Sequence, residues 1–434
     1  MPTPSGPRVA VVGGGLAGLA AAARLAKMGH RVQLHEASDR LGGRWAPHLL
    51  AGTDVLLDDA PGALAFPAPW RDLVLKSGRP LEAELARGGH ALVPAPPVTY
   101  AFADGSTLVL PADRAGQHSA LRDAYGPGPA VRWQHLVDSL GDVWQALRPL
   151  GLEEAYEPAA LTRDVVRRLR ARRTLADVAD GLDEPHLAAL VRSVAHRQGT
   201  TPERAPALSG VELFADRTFG RWQVVPADRG AGGDVGRTSV LVDTLVARLA
   251  LRGVEVRTGS RVEAVEAGTD GVRAVRTGAG REPVDAVVLA VDPWSAAALL
   301  PPPAARGLRR SLRHASPARL PLAAHEVLGA AGDGTLADVR EHVRLDADGV
   351  PVVATTRRLS GRLVRTVHDH RTTAPQPGAG VVTPGLRAWR RRPGTGLGLP
   401  GVALAGAASP AGPSPSAVVQ TGALAAYLVA GRRD

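Results

Sequence analysis

Residues 8–36 constrain this chain more than any other stretch. Arg8–Val12 carries Val-Ala-Val-Val, a short, wholly apolar run that reads as a strand buried on both faces. It runs into Gly13-Gly14-Gly15-Leu16-Ala17-Gly18, a G-x-G-x-x-G tract. A helix is predicted over Leu16–Met28, stopped by Gly29. A second strand, Arg31–His35, leads to Glu36, which stands 23 positions after Gly13. Strand, glycine tract, helix, strand and acid at this spacing predict a dinucleotide-binding βαβ unit. Gly13 permits the tight turn, Gly15 leaves room for a diphosphate, and Gly18 lets helix and strand pack closely. The helix start at Leu16 and Ala17 turns free N–H groups and the positive dipole end toward the phosphates. Glu36, followed by Ala37, is placed to accept hydrogen bonds from ribose hydroxyls. A carboxylate there repels a 2′-phosphate, which argues against NADP.

Composition removes several alternatives. The 434 residues include no Cys, which excludes disulfides, thiolate metal sites, iron–sulfur clusters and a cysteine nucleophile. There is no Asn or Ile, only Lys27 and Lys76 are lysines, and nearly all of the 52 basic residues are Arg. That bias is the mark of a GC-rich, bacterial-type genome. The net charge of +10 is therefore weak ground for a nucleic-acid partner, and none is expected. No apolar run reaches the roughly 18 residues of a membrane span. The run Val9–Ala23 after Arg8 has the look of a secretion signal, but its glycines and the βαβ pattern outweigh that. A cytoplasmic protein is expected.

Asp39-Arg40-Leu41-Gly42-Gly43-Arg44 follows Glu36 directly. The combined pattern G-x-G-x-x-G, Glu, R-x-G-G-R resembles the FAD-binding oxidoreductases that include amine oxidases and phytoene desaturases. The resemblance implies that the chain passes under the cofactor at Gly42 and Gly43 and that Arg44 lies near the diphosphate and ribityl. Further along, Leu57–Gly62 is similar to the segment that returns to the flavin. Val262, at the start of a predicted hairpin, takes the place of the residue near the adenine. The apolar strand Val402–Ala405, the loop from Gly406 and Ala407, and a helix from about Ala417 to Val429 resemble the segment that closes over the flavin. The resemblance places Gly406, Ala407, Ser416 and Ala417 against the ring, with the helix dipole stabilising its reduced form. Amine oxidases carry an acid straight after this glycine. Here it is Ala407, a small residue as in the desaturase branch.

The fold expected from this is α/β. A discontinuous FAD-binding Rossmann domain takes residues 6–75, 225–300 and 385–432. An inserted α+β substrate domain takes 76–224 and 301–384. A hairpin is predicted over Val98–Ser106 around Asp104-Gly105, helices over most of 113–200, and a helix over Ser239–Leu251. Phe219-Gly220-Arg221-Trp222 leads toward Gly232-Gly233, but Pro226–Gly236 is longer and more polar than in the resembled family.

The activity implied is removal of hydride from a carbon of a small lipophilic, carotenoid- or isoprenoid-like substrate to non-covalent FAD, with proton loss from the neighbouring carbon giving C=C. The catalytic base is unknown; Asp58, Asp59 and Asp216 are candidates by position alone. A flavin amine oxidase is the first alternative, weakened because an aromatic cage must come from seven Trp, four Tyr and four Phe. A redox-neutral isomerase or a non-catalytic flavin-binding protein is the second. No metal is expected: His368 and His370 lack a third ligand nearby. Arg163–Arg173 holds six Arg, and reads as a solvated face over Leu161, Val165 and Leu169 or as a basic helix on a membrane surface. Trp45 is read equally as a core or a cofactor contact, and Arg390-Arg391-Arg392 as a surface cluster. The sequence leaves the oligomeric state open.

Overall fold

A computed structural model describes residues 6–228, 233–268, 270–330, 338–376 and 378–431. Strand β1 (Arg8–Val12), helix α1 (Leu16–Lys27) and strand β2 (Arg31–His35) form the amino-terminal unit. Three later strands join it: β3 (Glu255–Arg257), β4 (Ala286–Leu289) and β5 (Val402–Leu404). The five lie parallel in the order β3-β2-β1-β4-β5, with Val9 opposite Val32 on one side and Ala286 on the other. The sheet is covered on both faces, which is why β1 is a continuous apolar run. Val9, Val11 and Val288 enter one core with the α1 side chains; Ala10, Val12, Val287 and Leu289 enter the other.

Helix α1 is buried from Leu16 through Leu25, including Arg24, whose guanidinium meets Asp72 at 2.8 Å. Helix α2 (Pro415–Val429) starts at a Ser414 cap and crosses α1 closely. A Cβ on Gly422 would stand 2.1 Å from the Ala17 carbonyl oxygen, so only glycine allows this approach.

The antiparallel strands Val262–Gly268, Gly271–Thr277 and Gly280–Pro283 form a small sheet beside the parallel one. A six-stranded sheet takes its strands from two distant segments. Its order is Ala323–Ala330, Arg362–Asp369, Pro351–Leu359, Arg340–Leu345, Val98–Ala101 and Thr107–Leu110. Helices between Arg114 and Phe219 pack against it. Among the described residues, no helix is long and apolar enough to cross a membrane.

Two readings of the sequence need correction. The arginine run forms only a short helix, Arg163–Arg168, capped by the Thr162 hydroxyl and ended before Arg170, whose φ is +52°. Leu161, Val166 and Leu169 are buried and Val165 is half-buried, which fits the reading of a packed stripe under a solvated face, on a helix shorter than the arginine run. Arg392 leaves the surface cluster. It turns inward and donates to the carbonyls of Val381, Ala408 and Ser409 and to the Thr383 hydroxyl, at 3.0–3.1 Å. Burial without a carboxylate partner pushes its pKa down to about 10. Trp45 belongs to the core, stacked on Trp70 with ring centroids 6.2 Å apart. Gly232 lies outside the described residues.

Candidate functional site

The glycine crook is built from backbone. Gly13 sits at φ +102°, and its N–H donates to the His35 carbonyl at 2.8 Å. A Cβ on Gly18 would stand 1.8 Å from the Gly13 carbonyl oxygen, so the turn seals against the helix. A Cβ on Gly15, by contrast, would meet nothing within 4 Å. The crook is therefore closed behind and open at Gly15, the shape that a diphosphate needs. Leu16 and Ala17 are buried at the start of α1.

The second glycine tract lies directly on the first. Gly42, at φ +108°, donates from its N–H to the Gly14 carbonyl at 2.8 Å, and a Cβ on Gly43 would stand 3.2 Å from the Gly15 Cα. Arg44 then projects outward. Its side chain is exposed, yet it sits deep enough that burial lowers its pKa, against the pull of Asp59. Among the described residues it makes no hydrogen bond or ion pair. An unpartnered guanidinium beside an open glycine crook fits an anionic diphosphate.

Glu36 holds the crook together: one carboxylate oxygen accepts from the Gly14 N–H at 2.7 Å, the other from the Ser38 N–H at 2.8 Å and its hydroxyl at 2.9 Å. The oxygen on Gly14 retains a lone pair for a ribose hydroxyl. Ala37 is exposed beside it. The Ser260 N–H donates to the Glu36 carbonyl and Gly259 to Ser38, so the stretch entering Val262 docks on this loop. At the other end, Gly406 has φ +127° and open space where a Cβ would be. Its N–H donates to the Thr421 hydroxyl of α2 at 2.9 Å, and Ala407 is half-buried beside it. Ser416 and Ala417 are buried in the first turn of α2, and the Ser416 hydroxyl donates to the Ala65 carbonyl at 2.9 Å. That hydroxyl is occupied inside the protein, which leaves backbone for any ring contact.

The three carboxylate candidates differ sharply. Asp58 is fully buried, pairs with the equally buried Arg357 at 2.9 Å, and accepts from the N–H groups of Ser239 and Ala60. It clamps three segments and has no free face, so its candidacy as a base falls. Asp59 points the other way and is 49 % exposed. It accepts from His325 Nε2 at 3.0 Å, and His48 Nε2 lies at 3.6 Å. Burial alone would raise the Asp59 carboxyl, but the His325 hydrogen bond and the imidazoles of His48, His325 and His368 hold it below the usual range. Asp216 is half-buried, and burial pushes its carboxyl up to about 6 among Arg221, Glu212, Arg197 and Glu341. Arg221 is already committed to Glu341 at 2.7 Å.

His48 and His325 carry no signal in the sequence, because the partners lie far apart along the chain. His368 and His370 diverge: His368 lies beside Asp59, and His370 bonds to the His196 carbonyl at 3.0 Å. Phe66, Trp144, Phe214 and Phe219 gather beside Ala417, with ring centroids 4.8–6.4 Å apart. Their planes are inclined by 36–88°, so they pack as a core and not as a pair of parallel walls.

Comparison with known proteins decides the family. The description "flavin containing amine oxidoreductase" matches residues 16–319. The chain belongs to this family. It is an FAD-dependent oxidoreductase. Among curated relatives, it is 29 % identical over 409 residues to a phytoene dehydrogenase of Streptomyces griseus, covering 90 % of this chain and 77 % of the relative. It is 31 % identical over 308 residues to a hydroxysqualene dehydroxylase of Rhodopseudomonas palustris, covering 68 % of this chain and 63 % of that protein. A 4,4′-diapolycopene oxygenase of Methylomonas is 27 % identical over 277 residues, 60 % of this chain and half of that relative. Among solved structures, putrescine oxidase bound to putrescine superposes with a TM-score of 0.67 over 98 % of this chain and 99 % of the other, at 16 % identity. Cyclohexylamine oxidase from Brevibacterium oxydans gives 0.62 at 15 % identity, over 98 % and 99 % of the two chains. Likeness at that level shows the family's fold.

Proposed function

We propose that this protein desaturates a C–C bond of a lipophilic, isoprenoid-like substrate. The observation that carries this is the match to a phytoene dehydrogenase along 90 % of the chain. The small Ala407 after Gly406 and the inclined aromatic core beside α2 support it over amine oxidation. Bound FAD supplies a two-electron acceptor for hydride leaving carbon. The chain's own work is holding and shielding. The crook that Gly13 turns offers the N–H groups of Gly15, Leu16, Ala17 and Gly18 to the diphosphate, Gly42 and Gly43 brace it, and Arg44 neutralises it. Glu36 and Ala37 take the ribose side, and Val262 the adenine side. Gly406, Ala407, Ser416 and Ala417 offer backbone to the ring end.

The division into a cofactor domain of residues 6–75, 225–300 and 385–432 and a substrate domain of 76–224 and 301–384 is part of this proposal. Its support is that the parallel sheet draws strands from the first set, and the six-stranded sheet from the second. The deciding experiment is anaerobic titration of the yellow protein with lipophilic polyenes and with amines. Stoichiometric bleaching of the flavin by a polyene is expected. Bleaching by amines alone, or conversion of a polyene only over pre-reduced flavin with no net electron flow, would overturn the reading.

A further inference from the structure

The geometry points to Asp59 as the proton acceptor of this oxidation, with His325 as the residue that holds it in place. The inference rests on the desaturase reading and supplies the base that the sequence leaves unnamed. On the cofactor side Arg44 lies near enough to feel the charge of Asp59 without pairing with it, and His48, 3.6 Å from Asp59, stands on a strand that pairs with Leu56–Leu57 just ahead of it. From the opposite side, His325 and His368 reach it from adjacent strands of the six-stranded sheet. The carboxylate thus stands where the cofactor cradle meets the substrate sheet, and it is half open.

One protonation pattern satisfies all of these hydrogen bonds. Arg357 Nη2 can only donate, and it lies 2.8 Å from the Thr366 hydroxyl oxygen. Thr366 is then free to donate its own proton to His325 Nδ1, 3.1 Å away. An Nδ1 that accepts leaves the proton on Nε2, aimed at Asp59 Oδ1. Arg357 is itself anchored by Asp58, so the buried pair sets the imidazole, and the imidazole sets Asp59. His48, Asp59 and His325 offer three ligand atoms within 4.8 Å of one another, a spacing that also suits a metal ion. An Nε2 that carries hydrogen has no lone pair for a metal, and Arg44 is a poor neighbour for a second cation. The network therefore favours proton chemistry.

The step balances. One C–H bond breaks with its electron pair leaving as hydride to FAD, the oxidant. The C–H bond on the neighbouring carbon breaks heterolytically, and its pair becomes the second bond of C=C. The proton goes to Asp59 and from there to water. A weakly basic carboxylate suffices, because loss of hydride leaves an electron-poor carbon that acidifies its neighbour. A fixed negative charge at that point also stabilises the developing positive charge.

The test uses FAD-loaded protein and the substitutions Asp59→Asn, Asp59→Glu, His325→Leu and His325→Gln. Asp59→Asn is expected to keep bound FAD and its melting temperature while slowing anaerobic flavin bleaching by about 100-fold or more, with Asp59→Glu recovering part of the rate. His325→Leu should slow bleaching, and His325→Gln, which can still donate to Asp59, should restore it. Nitrogen-15 NMR of labelled histidines should show His325 as the Nε2–H tautomer, identified by the signal lost in His325→Gln. Wild-type bleaching by Asp59→Asn, an Nδ1–H tautomer at His325, or stoichiometric metal that His48→Ala removes would each overturn the assignment. Wild-type protein that no polyene bleaches breaks the desaturase reading instead, and the tautomer and metal measurements still decide this cluster without substrate.

Discussion

The glycine crook and the Asp59 face are neighbours in the molecule and opposites in construction. The crook comes from one continuous stretch, and its working parts are backbone. Nothing within 4 Å of a Cβ at Gly15 and a near-collision at Gly18 are consequences of turns a few residues long. The Asp59 face is made of side chains, and His325 and Asp59 are separated by 266 positions. It depends on a fully buried ion pair whose members, Asp58 and Arg357, are 299 positions apart. The glycine geometry is local; the Asp59 face exists only once the whole chain is folded.

The largest effect should come from Gly15→Val. The backbone at Gly15, φ −75°, accepts any residue, and the space is open without ligand. The protein should fold with an unchanged far-ultraviolet spectrum and hold no FAD after purification. Normal flavin stoichiometry in this variant would break the contrast, because the crook would not be where the diphosphate lies. Next is Asp58→Asn, which leaves Arg357 buried without its counter-charge. It should cost about 3–5 kcal/mol in chemical denaturation. A cost near zero would mean that the clamp does not support the face.

Asp216→Asn sharpens the same division from the substrate side. Its folded pKa, about 6, lies above the ordinary carboxylate value, so its protonated form is favoured in the fold. Its contribution is full below about pH 4 and is lost as pH rises through about 6. The variant should match wild type at pH 4 and be more stable at pH 7.5, by at most about 3 kcal/mol. Equal melting temperatures at both pH values would place this carboxyl in an ordinary aqueous setting. The smallest effect should be Glu36→Ala. It removes the acceptors for the ribose and the carboxylate that holds the Gly14 N–H, and should weaken FAD by about 1–3 kcal/mol in a fluorescence titration.

What the sequence made legible follows the same line. Strands β1 and β2 and helix α1 could be read because hydrophobic period, glycine position and acid spacing all act over short distances. Strands β4 and β5 were also readable as apolar runs, the second ending at Gly406, and so was the closing helix. Side-chain networks left no such trace. The adjacent acids Asp58 and Asp59 look equivalent in the sequence, and only the fold sends one inward to Arg357 and the other outward to His325. Biased composition misled in one place: six arginines in 163–173 suggested a long amphipathic surface, while the helix ends at Arg168. Arg392 hides its role for a related reason, since a run of three arginines gives no hint that one turns inward to four oxygen acceptors.

The seat of Gly422 on the Ala17 carbonyl bears on how this protein is born. The parallel sheet lacks its outer strand, and α1 lacks its cover, until residues 402–429 have been synthesised. Segments that emerge early must wait on the ribosome with an apolar helix face uncovered, while the sheet between residues 323 and 369 can already assemble. On the proposed site, the ring end from Gly406 to Ala417 is therefore not in place until that stretch has been made, and a chain cut before residue 402 should purify colourless.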